Sequence, residues 1–568
     1  MRWNIADIDA STVRRLEDGL GITPFLASLL TARGYSDVQQ VSALLNPVLS
    51  NFPNPLELPG MEAAANRVVT AIKERQRVVI YGDYDVDGVT SISLLMTFLA
   101  DVGLSATYIV PSRFVDGYGL NMERARQIAD DGYALVITVD CGSASALEVA
   151  YLEERGVDVI VTDHHKIHGD RPQGVAFLNP QDWEDVQLEM LAGVGVAFLL
   201  VSAVYIKLKK EATSEQPLPT LKSYLDLVTI GTVADMVPLE GPNRALVVNG
   251  LRQIQDTPCR PGVIALKEVA GVHDRKMDSS SIAFYMAPRI NAAGRLGHAE
   301  TAVDLLLSTD FGTARVKARQ LDDDNRKRRE LEQQIFAEAD QLLEAGGMKQ
   351  LNAIVLGSPH WHQGVLGIVA SRICERYFRP TILMSIKDGV AVGSARSIAG
   401  FDIASALEAN QTMLQRYGGH PMAAGLTMDA DKMDDLRLAL DKAVGEALPP
   451  GDLDPAVNVD VVVPLSEVTN RTISDLEKLA PFGAGNPEPV IGCRAVRVIW
   501  KRLVGGGDHL KLRVEQEGRS LEAIGYRMGK SEVKVGDVVD VAFHPEIRTW
   551  QGVSTLQLRL KDLETPSK

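Results

Sequence analysis

The chain has 568 residues and a mass of 61.7 kDa, which at about 150 residues per domain points to three or four domains. Hydrophobic residues make up 45% and charged residues 23%, a globular composition that excludes fibrous, collagen-like and low-complexity classes. The formal net charge of -15 excludes a uniformly basic coat for duplex nucleic acid, but leaves local basic patches open.

Residues 1–75 are mostly helical in pattern and are punctuated by Pro47, Pro53, Pro55 and Pro59, so a packing or wrapping domain is expected there. The N-terminal MRWNIADIDA lacks the apolar core of a signal peptide. Residues 76–310 open with αβ units. Strands are expected over Val78–Tyr81, Ala106–Val110, Leu135–Val139 and Val157–Thr162, with a helix over Val89–Ala100. These strands are continuously apolar and β-branched, which suits a parallel sheet covered on both faces. Three of them run into Asp83, Asp140 and Asp163, and ligands of such sheets gather at the carboxyl ends of the strands. The longest apolar run, Met190–Ile206, is interrupted by Gly193, Gly195 and Ser202. It is short for a membrane span and reads as a buried helix, so no membrane partner is expected.

Residues 219–310 read as mainly helical, broken by a polar loop over 271–281. Phe311–Ala345 forms a long charged helical pattern suited to joining two lobes. Residues 346–448 form a second αβ section. Strands are expected over 353–357, 381–386, 390–395 and 421–427, with helices over 364–377, 402–413 and 429–445. Pro449, Pro450, Gly451 and Pro455 mark a linker. Residues 449–568 then change to alternating strand patterns over 457–463, 509–514 and 554–560, with another strand over 538–543. Short strands with glycine turns favour a small β barrel. Cys141, Cys259, Cys374 and Cys493 are scattered without a Cys-x-x-Cys pair, so a zinc ribbon or disulfide framework is unsupported and a reducing, cytoplasmic compartment is expected.

The sharpest chemistry lies in Tyr81-Gly-Asp-Tyr-Asp-Val-Asp-Gly88. Asp83, Asp85 and Asp87 alternate directly after a buried strand, and on a still-extended chain they share one face. Three carboxylates in one concavity repel each other and lose hydration, and a divalent cation removes that cost. A calcium loop fits poorly, because Leu94 stands where the acidic twelfth residue belongs. A solvated acidic turn is the bland alternative. Asp140 precedes Cys141-Gly142, Asp163-His164-His165 follows another strand, and Asp235 follows the apolar stretch Leu227–Ala234. Singly, such residues also serve as helix caps. Together they exceed the needs of one metal, and oxygen-rich ligands with one histidine suit Mn²⁺ or Mg²⁺ better than a structural zinc. Two such cations fit a phosphodiester substrate and require no serine or cysteine nucleophile.

DYDVDG at 83–88, VDCG at 139–142, DHH at 163–165 and ADMVPL at 234–239 resemble the four motifs of the DHH phosphoesterase superfamily. GSARS at 393–397 and GGHPMAAGL at 418–426 resemble its DHHA1-type companion domain. With NAAGRLG at 291–297 and PFGAGNPEP at 481–489, the chain is similar over essentially its whole length to the RecJ branch, the single-strand-specific 5′-to-3′ DNA exonucleases. Some superfamily members begin the first motif with His where this chain has Asp83; Asp is the usual form in that branch. The resemblance implies a parallel-sheet catalytic domain over 76–310, a linking helix over 311–345, a smaller α/β companion domain over 346–448 and an OB-like barrel over 449–568. It also implies two divalent cations, Mn²⁺ or Mg²⁺, held by Asp83, Asp85, Asp87, Asp140, His164 and Asp235, with Asp140 bridging. His165 then lies near the scissile phosphate, to stabilise charge or assist proton transfer. Single-stranded DNA is the implied substrate, 5′ mononucleotides the product, repair and recombination the setting, and a single-strand-binding protein a partner of a monomeric enzyme.

For the strand itself, the small residues Gly393, Ser394 and Ser397 around Arg396 suit an anion. The resemblance makes Ser394 and Arg396 contacts to a terminal 5′ phosphate and His420 a substrate-phosphate contact. Arg289, Asn291 and Arg295 form a polar stretch that serves either a phosphate path or a structural ion pair. His360 and His362 alternate like a metal pair, but the resemblance places them in the companion domain, where a surface or strand-contact role fits better. From Ile491 to Arg513 there are six Lys or Arg against Asp508 alone, with Trp500 and His509 interleaved. Trp500, Lys501, Arg502, Lys511 and Arg513 are therefore candidates for stacking and phosphate contact, against the alternative of a solvated barrel face. Three other readings stay open: a superfamily hydrolase of short oligonucleotides or cyclic dinucleotides, a manganese pyrophosphatase, and a non-catalytic strand-binding scaffold.

Overall fold

The computed structural model describes residues 2–113, 115–167, 169–185, 187–210, 218–256, 259–345, 351–448, 456–550 and 553–564. The proline-rich linker expected over 449–455 lies outside the described residues. Internal packing divides the chain into two compact units, Trp3–Leu321 with Val457–Lys568, and Asp322–Ala456. Among the described residues no helix is long and apolar enough to cross a membrane.

The first unit is built on a parallel sheet of five strands: β1 (Val78–Gly82), β2 (Thr107–Ile109), β3 (Leu135–Val139), β4 (Asp158–Thr162) and β5 (Ala176–Leu178), in the order β2-β1-β3-β4-β5. Alternate residues feed two different cores. Ile80, Ile137 and Ile160 meet the helices Met61–Glu74, α1 (Val86–Asp101), α2 (Gly193–Lys209) and α3 (Leu225–Ala234) on one face. Val79, Val136 and Val159 meet Ala125, Ile128, Val149 and Leu152 on the other. Double cover explains why the strands lack polar alternation. The apolar run read as a buried helix is α2, buried along most of its length.

The helices Ala10–Leu20, Pro24–Ala32 and Val38–Leu45 share a core with the barrel, where Leu16, Leu26, Leu30 and Val41 pack with Ile491, Val498, Leu512 and Phe543. An unexpected N-terminal strand, Arg2–Ile5, pairs with Ala456–Val459. Arg244 ties the three parts together. It is 2% exposed, and its guanidinium donates to the carbonyls of Leu44, Lys478, Leu479 and Ala480.

The barrel consists of β11 (Ile491–Val504), β12 (His509–Gln516), β13 (Arg519–Gly525), β14 (Val538–Trp550) and β15 (Val553–Glu564), and pairing of β14 with β11 closes it. Strand β14 runs well past the expected 538–543, with 13 residues, and β11, with 14, lies where the sequence pattern placed no strand.

Helix α4 (Phe311–Ala345) has the expected extent. The second unit carries a five-stranded sheet ordered β9-β10-β8-β7-β6, comprising β6 (Ile354–Ser358), β7 (Thr381–Lys387), β8 (Val390–Arg396), β9 (Leu414–His420) and β10 (Ala423–Asp429). On one face Ala395, Leu426 and Met428 pack with α6 (Ile403–Ala409) and α7 (Met433–Ala447). On the other, Ile354, Leu356 and Leu383 pack with α4 and α5 (Leu366–Tyr377). The sequence pattern places no strand over 414–420; the segment is nevertheless β9, the edge strand of a hairpin with β10.

Candidate metal centre and strand-binding surfaces

The three aspartates of the first motif converge, although not on an extended chain. The chain leaves β1 and turns at once into α1. Asp83 follows directly on the last residue of β1. Asp85 is the N-cap of α1, its carboxylate accepting from the N–H groups of Asp87 at 2.9 Å and Gly88 at 3.2 Å. Asp87 lies in the first helical turn and accepts from Gly193 N at 2.6 Å and Val194 N at 2.9 Å, the N-terminus of α2. A strand end, a cap and a helical turn thus bring the carboxylates together, and helix N–H groups offset their charge.

Asp140 follows β3 with a left-handed φ of 57°, a conformation that Asp tolerates better than most residues. Gly193 lets it in: a Cβ there would lie 2.9 Å from both Cβ and Oδ1 of Asp140. The apolar stretch before Asp235 is α3, and Asp235 is its C-cap. His164 Nε2 lies 3.2 Å from Asp140 Oδ1, 3.7 Å from Asp235 Oδ2 and 3.8 Å from Asp87 Oδ2.

Three groups have ligand atoms within 4.8 Å of one another: Asp83, Asp85 and Asp140; Asp87, His164 and Asp235; and Asp140, His164 and His165. Asp140 and His164 each belong to two of them. Four buried atoms, Asp83 Oδ1, Asp140 Oδ1, His164 Nε2 and Asp235 Oδ2, have no hydrogen-bond partner among the described residues. Buried polar atoms are normally paired. A convergence of such atoms on acidic and imidazole groups fits divalent cations.

The electrostatics agree. Burial, followed by Asp87 and Asp85, pushes the Asp235 carboxyl up to about 9. Burial and then Asp85 push Asp87 up to about 7. Asp83 and Asp140 are raised well above the usual carboxylate range, first by burial and then by neighbouring aspartates. Burial, then the adjacent His165, lowers His164 to about 4, leaving a neutral imidazole with a lone pair to offer. His165 behaves in the opposite way. Burial opposes its charge, but the Asp163 carboxylate 2.9 Å from Nδ1 raises its pKa. Asp163 is also buried, yet the His165 hydrogen bond and the Ser143 N–H hold it down at about 2.

Sequence reasoning did not single out Tyr118. Its hydroxyl lies 2.9 Å from His165 Nδ1 and donates to the Asp140 carbonyl at 3.3 Å. It also did not single out Arg113, whose guanidinium lies 5.4 Å from the Tyr84 ring centre, beside the acidic loop. A Gly-Tyr-Gly motif and a lone arginine carry no chemistry until the fold places them.

In the second unit, Ser394 and Arg396 meet. Arg396 Nη1 donates to Ser394 Oγ at 3.1 Å, and its Nε donates to Ser371 Oγ of α5, also at 3.1 Å. Gly367 makes room, since a Cβ there would lie 2.6 Å from Arg396 Nη2. His420 is exposed at the end of β9. His362 Nδ1 accepts the Gly364 N–H, and neither His360 nor His362 joins a metal-binding group among the described residues.

Arg289 is buried and donates to the carbonyls of Tyr285 and Val269, which favours the structural of the two roles open to it. Arg295 and Asn291 are half-buried, and Arg295 lies close enough to Tyr84 to influence its hydroxyl. On the barrel, Trp500 and Arg502 are exposed and pair across strands with Arg513 and Lys511. Lys501 instead donates to the carbonyls of Ser531 and Val533, bracing a loop. Lys511 and Arg513 both pair with Glu522, so this face is less positive than its sequence suggests.

A parallel sheet with acidic strand ends and an Asp-His-His turn defines a DHH phosphoesterase. Residues 77–232 match the DHH family, N-terminal domain; 350–446 match the DHHA1 domain; and 459–562 match the RecJ OB domain. The single-stranded-DNA-specific exonuclease RecJ of Bacillus subtilis (strain 168) is 36% identical, covering 99% of this chain and 70% of its own length. The corresponding protein of Escherichia coli (strain K12) is also 36% identical, over 95% of this chain and 96% of its own. The crystal structure of RecJ in complex with Mn²⁺ from Thermus thermophilus superposes with a TM-score of 0.85 at 32% identity, covering 100% of this chain and 80% of that one. The chain belongs to the RecJ family.

Proposed function

We propose that this protein is a metal-dependent exonuclease of single-stranded DNA that hydrolyses phosphodiester bonds from the 5′ end and releases 5′ mononucleotides. The observation that carries the proposal is the set of four buried, unpartnered ligand atoms on Asp83, Asp140, His164 and Asp235. When bound, a pair of Mn²⁺ or Mg²⁺ ions supplies acidification of water and neutralisation of charge on the attacking and leaving oxygens of a phosphoryl group.

The chain's own residues divide the remaining work. Asp83, Asp85 and Asp140 would hold one ion and Asp87, His164 and Asp235 the other, with Asp140 placed to serve both because it also lies against His164. Asp163 accepts from the Nδ1–H of His165, which favours the charged ring and orients it. The outer nitrogen of His165 then stabilises charge on the phosphate or passes a proton to the leaving oxygen. The Tyr118 hydroxyl lies against the same nitrogen, Nδ1, and adds a second contact to it.

We assign the terminal 5′ phosphate to Arg396 and Ser394, whose donors are already fixed by Ser371 and by a close-approaching helix. His420 is assigned to a phosphate of the strand, with Asn291 and Arg295 as weaker candidates. The exposed Trp500 and Arg502 are assigned to the strand beyond. The five segments 1–75, 76–310, 311–345, 346–448 and 449–568 are our proposed wrapping, catalytic, linking, phosphate-binding and barrel parts. A monomer in the cytoplasm with a single-strand-binding protein as partner completes this reading; light scattering and co-purification test it.

The direct test is digestion of end-labelled single-stranded and duplex DNA with Mn²⁺, Mg²⁺ or chelator. Metal-dependent release of mononucleotides from the 5′ end of single strands alone is expected. Turnover of a dinucleotide with no action on long strands overturns the proposal in favour of a small-substrate hydrolase.

A further inference from the structure

Strand β5 is one edge of the catalytic sheet, and the chain leaves it through Asn179. Asn179 is 0% exposed. Its Oδ1 accepts the Gln181 N–H at 2.9 Å and caps the short turn Pro180–Asp182. Serine, threonine or aspartate would cap that turn as well, so the cap leaves the amide nitrogen unexplained. Nδ2 carries two hydrogens, and both point away from the turn. One is donated to Ser143 Oγ at 2.8 Å and the other to the His165 carbonyl oxygen, also at 2.8 Å. Asparagine is the short side chain that offers two donors and an acceptor at once.

These bonds belong to a closed ring. The Ser143 N–H donates to Asp163 Oδ2 at 2.9 Å, and the His165 N–H donates to Asp163 Oδ1 at 3.2 Å. Ser143, Asn179, His165 and Asp163 therefore form one circuit, in which the side chains of Ser143, Asp163 and Asn179 are buried. Ser143 stands three residues beyond Asp140, so the circuit fastens the turn that carries Asp140 to the turn that carries His165. Asp163 holds His165 by its Nδ1 and its N–H. Asn179 holds the opposite end of the same residue, its carbonyl. The neighbouring metal-site residues have anchors of their own. His164 is bonded to the backbone of Leu191, and the turn after Asp140 is steadied by Thr138 Oγ1, which donates to the Cys141 carbonyl at 2.9 Å.

We propose that Asn179 is a positioning residue for His165. By clamping the His165 carbonyl to the Ser143 turn, it sets where the imidazole stands beside Asp140, whose Oδ1 lies 3.8 Å from His165 Nδ1. This rests on the exonuclease reading above and extends it to a side chain whose own polar atoms are bonded within the protein.

The test uses the full chain with Asn179→Leu, Ser143→Ala and the double variant. Asn179→Leu keeps the size of the side chain and removes its three bonds. On a 5′-phosphorylated single strand with Mn²⁺, it is expected to lower kcat roughly 10- to 100-fold, the usual loss when an outer support of a site is removed. KM and the Mn²⁺ concentration for half-maximal rate are expected to change little. Ser143→Ala is expected to give a smaller loss of kcat, and the double variant no more than Asn179→Leu alone, because one circuit opens only once. Hydrogen exchange of the metal-free protein supplies a reading without catalysis. In Asn179→Leu the amides of His164 and His165, which donate to Asp163, are expected to exchange several-fold faster while those of β4 keep their protection. If Asn179→Leu does not fold, Asn179→Asp, which keeps the cap and the shape but offers no donor, is read with the same expectations. Unchanged kcat overturns the inference. So do losses that multiply in the double variant, a loss confined to Mn²⁺ demand, and exchange that quickens equally in the turn and along β4. Failure of the wild-type protein to cleave any single strand overturns the exonuclease reading instead, while the exchange data still decide whether Asn179 holds the His165 turn.

Discussion

The metal-centre loops and the open sheet face solve opposite problems. In the first, carboxylates are buried, repel one another and are raised far from their usual pKa. They stay in place because helix N-termini, a left-handed Asp140 and a close-packed Gly193 hold them there. In the second, on the β8–β10 side of the second unit's sheet, His420, Arg416, Gly418 and Gly425 are exposed with open space around the glycines, while Arg396 is half-buried against α5. A centre that must hold ions at fixed spacing needs enforced geometry at the expense of stability. A surface that must let a flexible strand pass needs room and charge, and little enforcement.

The comparison is broken most severely at Asp140. Asp140→Asn keeps a residue that tolerates the left-handed backbone but removes the shared charge. Cleavage is expected to be abolished while strand binding is largely kept. In chelator the variant is expected to melt higher than wild type, because one member of a repelling buried cluster is gone. Nuclease assays beside calorimetry check both; cleavage near the wild-type rate removes Asp140 from the core. Next is Gly193→Ala, whose new methyl would displace Asp140 without touching a ligand atom's chemistry. Metal affinity is expected to fall about 10- to 100-fold, the usual loss when ligand support is disturbed, and a Mn²⁺ titration reads it.

On the open face, Arg396→Ala removes a charge-assisted contact of about 1.5–3 kcal/mol. KM for a 5′-phosphorylated strand is expected to rise roughly 10- to 100-fold, with a much smaller rise for a 5′-hydroxyl strand. Equal effects on both substrates would place the terminal phosphate elsewhere. The smallest effect is expected for Tyr118→Phe. Loss of one hydrogen bond of about 1 kcal/mol predicts roughly a fivefold lower kcat, with metal affinity retained, because Asp163 still holds His165.

The metal centre is largely legible in the sequence because β-branched runs that end in Asp announce buried strands with carboxylates at their tips, and β3 matches its expected bounds residue for residue. The period-two argument for convergence at Asp83, Asp85 and Asp87 is only half right. It presumes an extended chain, whereas Asp85 starts a helix. Edges are harder to read. Strand β9 reads Leu-Gln-Arg-Tyr-Gly-Gly-His, with no apolar face, because neither side of it is buried. The pairing of Arg2–Ile5 with Ala456–Val459 joins segments far apart in the chain, and no local pattern encodes it. Arg289 stays open between two roles in the sequence because an arginine among glycines looks the same whether it faces solvent or the carbonyls of Tyr285 and Val269.

Arg244 has a consequence for how the barrel is regarded. Its charge is dehydrated, and burial lowers its pKa to about 10. Three of its four acceptors sit at the end of the helix Asn470–Leu479, in the C-terminal segment. Cutting that segment away would strand a cation inside a hydrophobic wall. The barrel is therefore no detachable accessory: the catalytic sheet and the barrel are expected to melt as one cooperative block, and a nuclease core trimmed before residue 457 is expected to be insoluble rather than merely weaker on DNA.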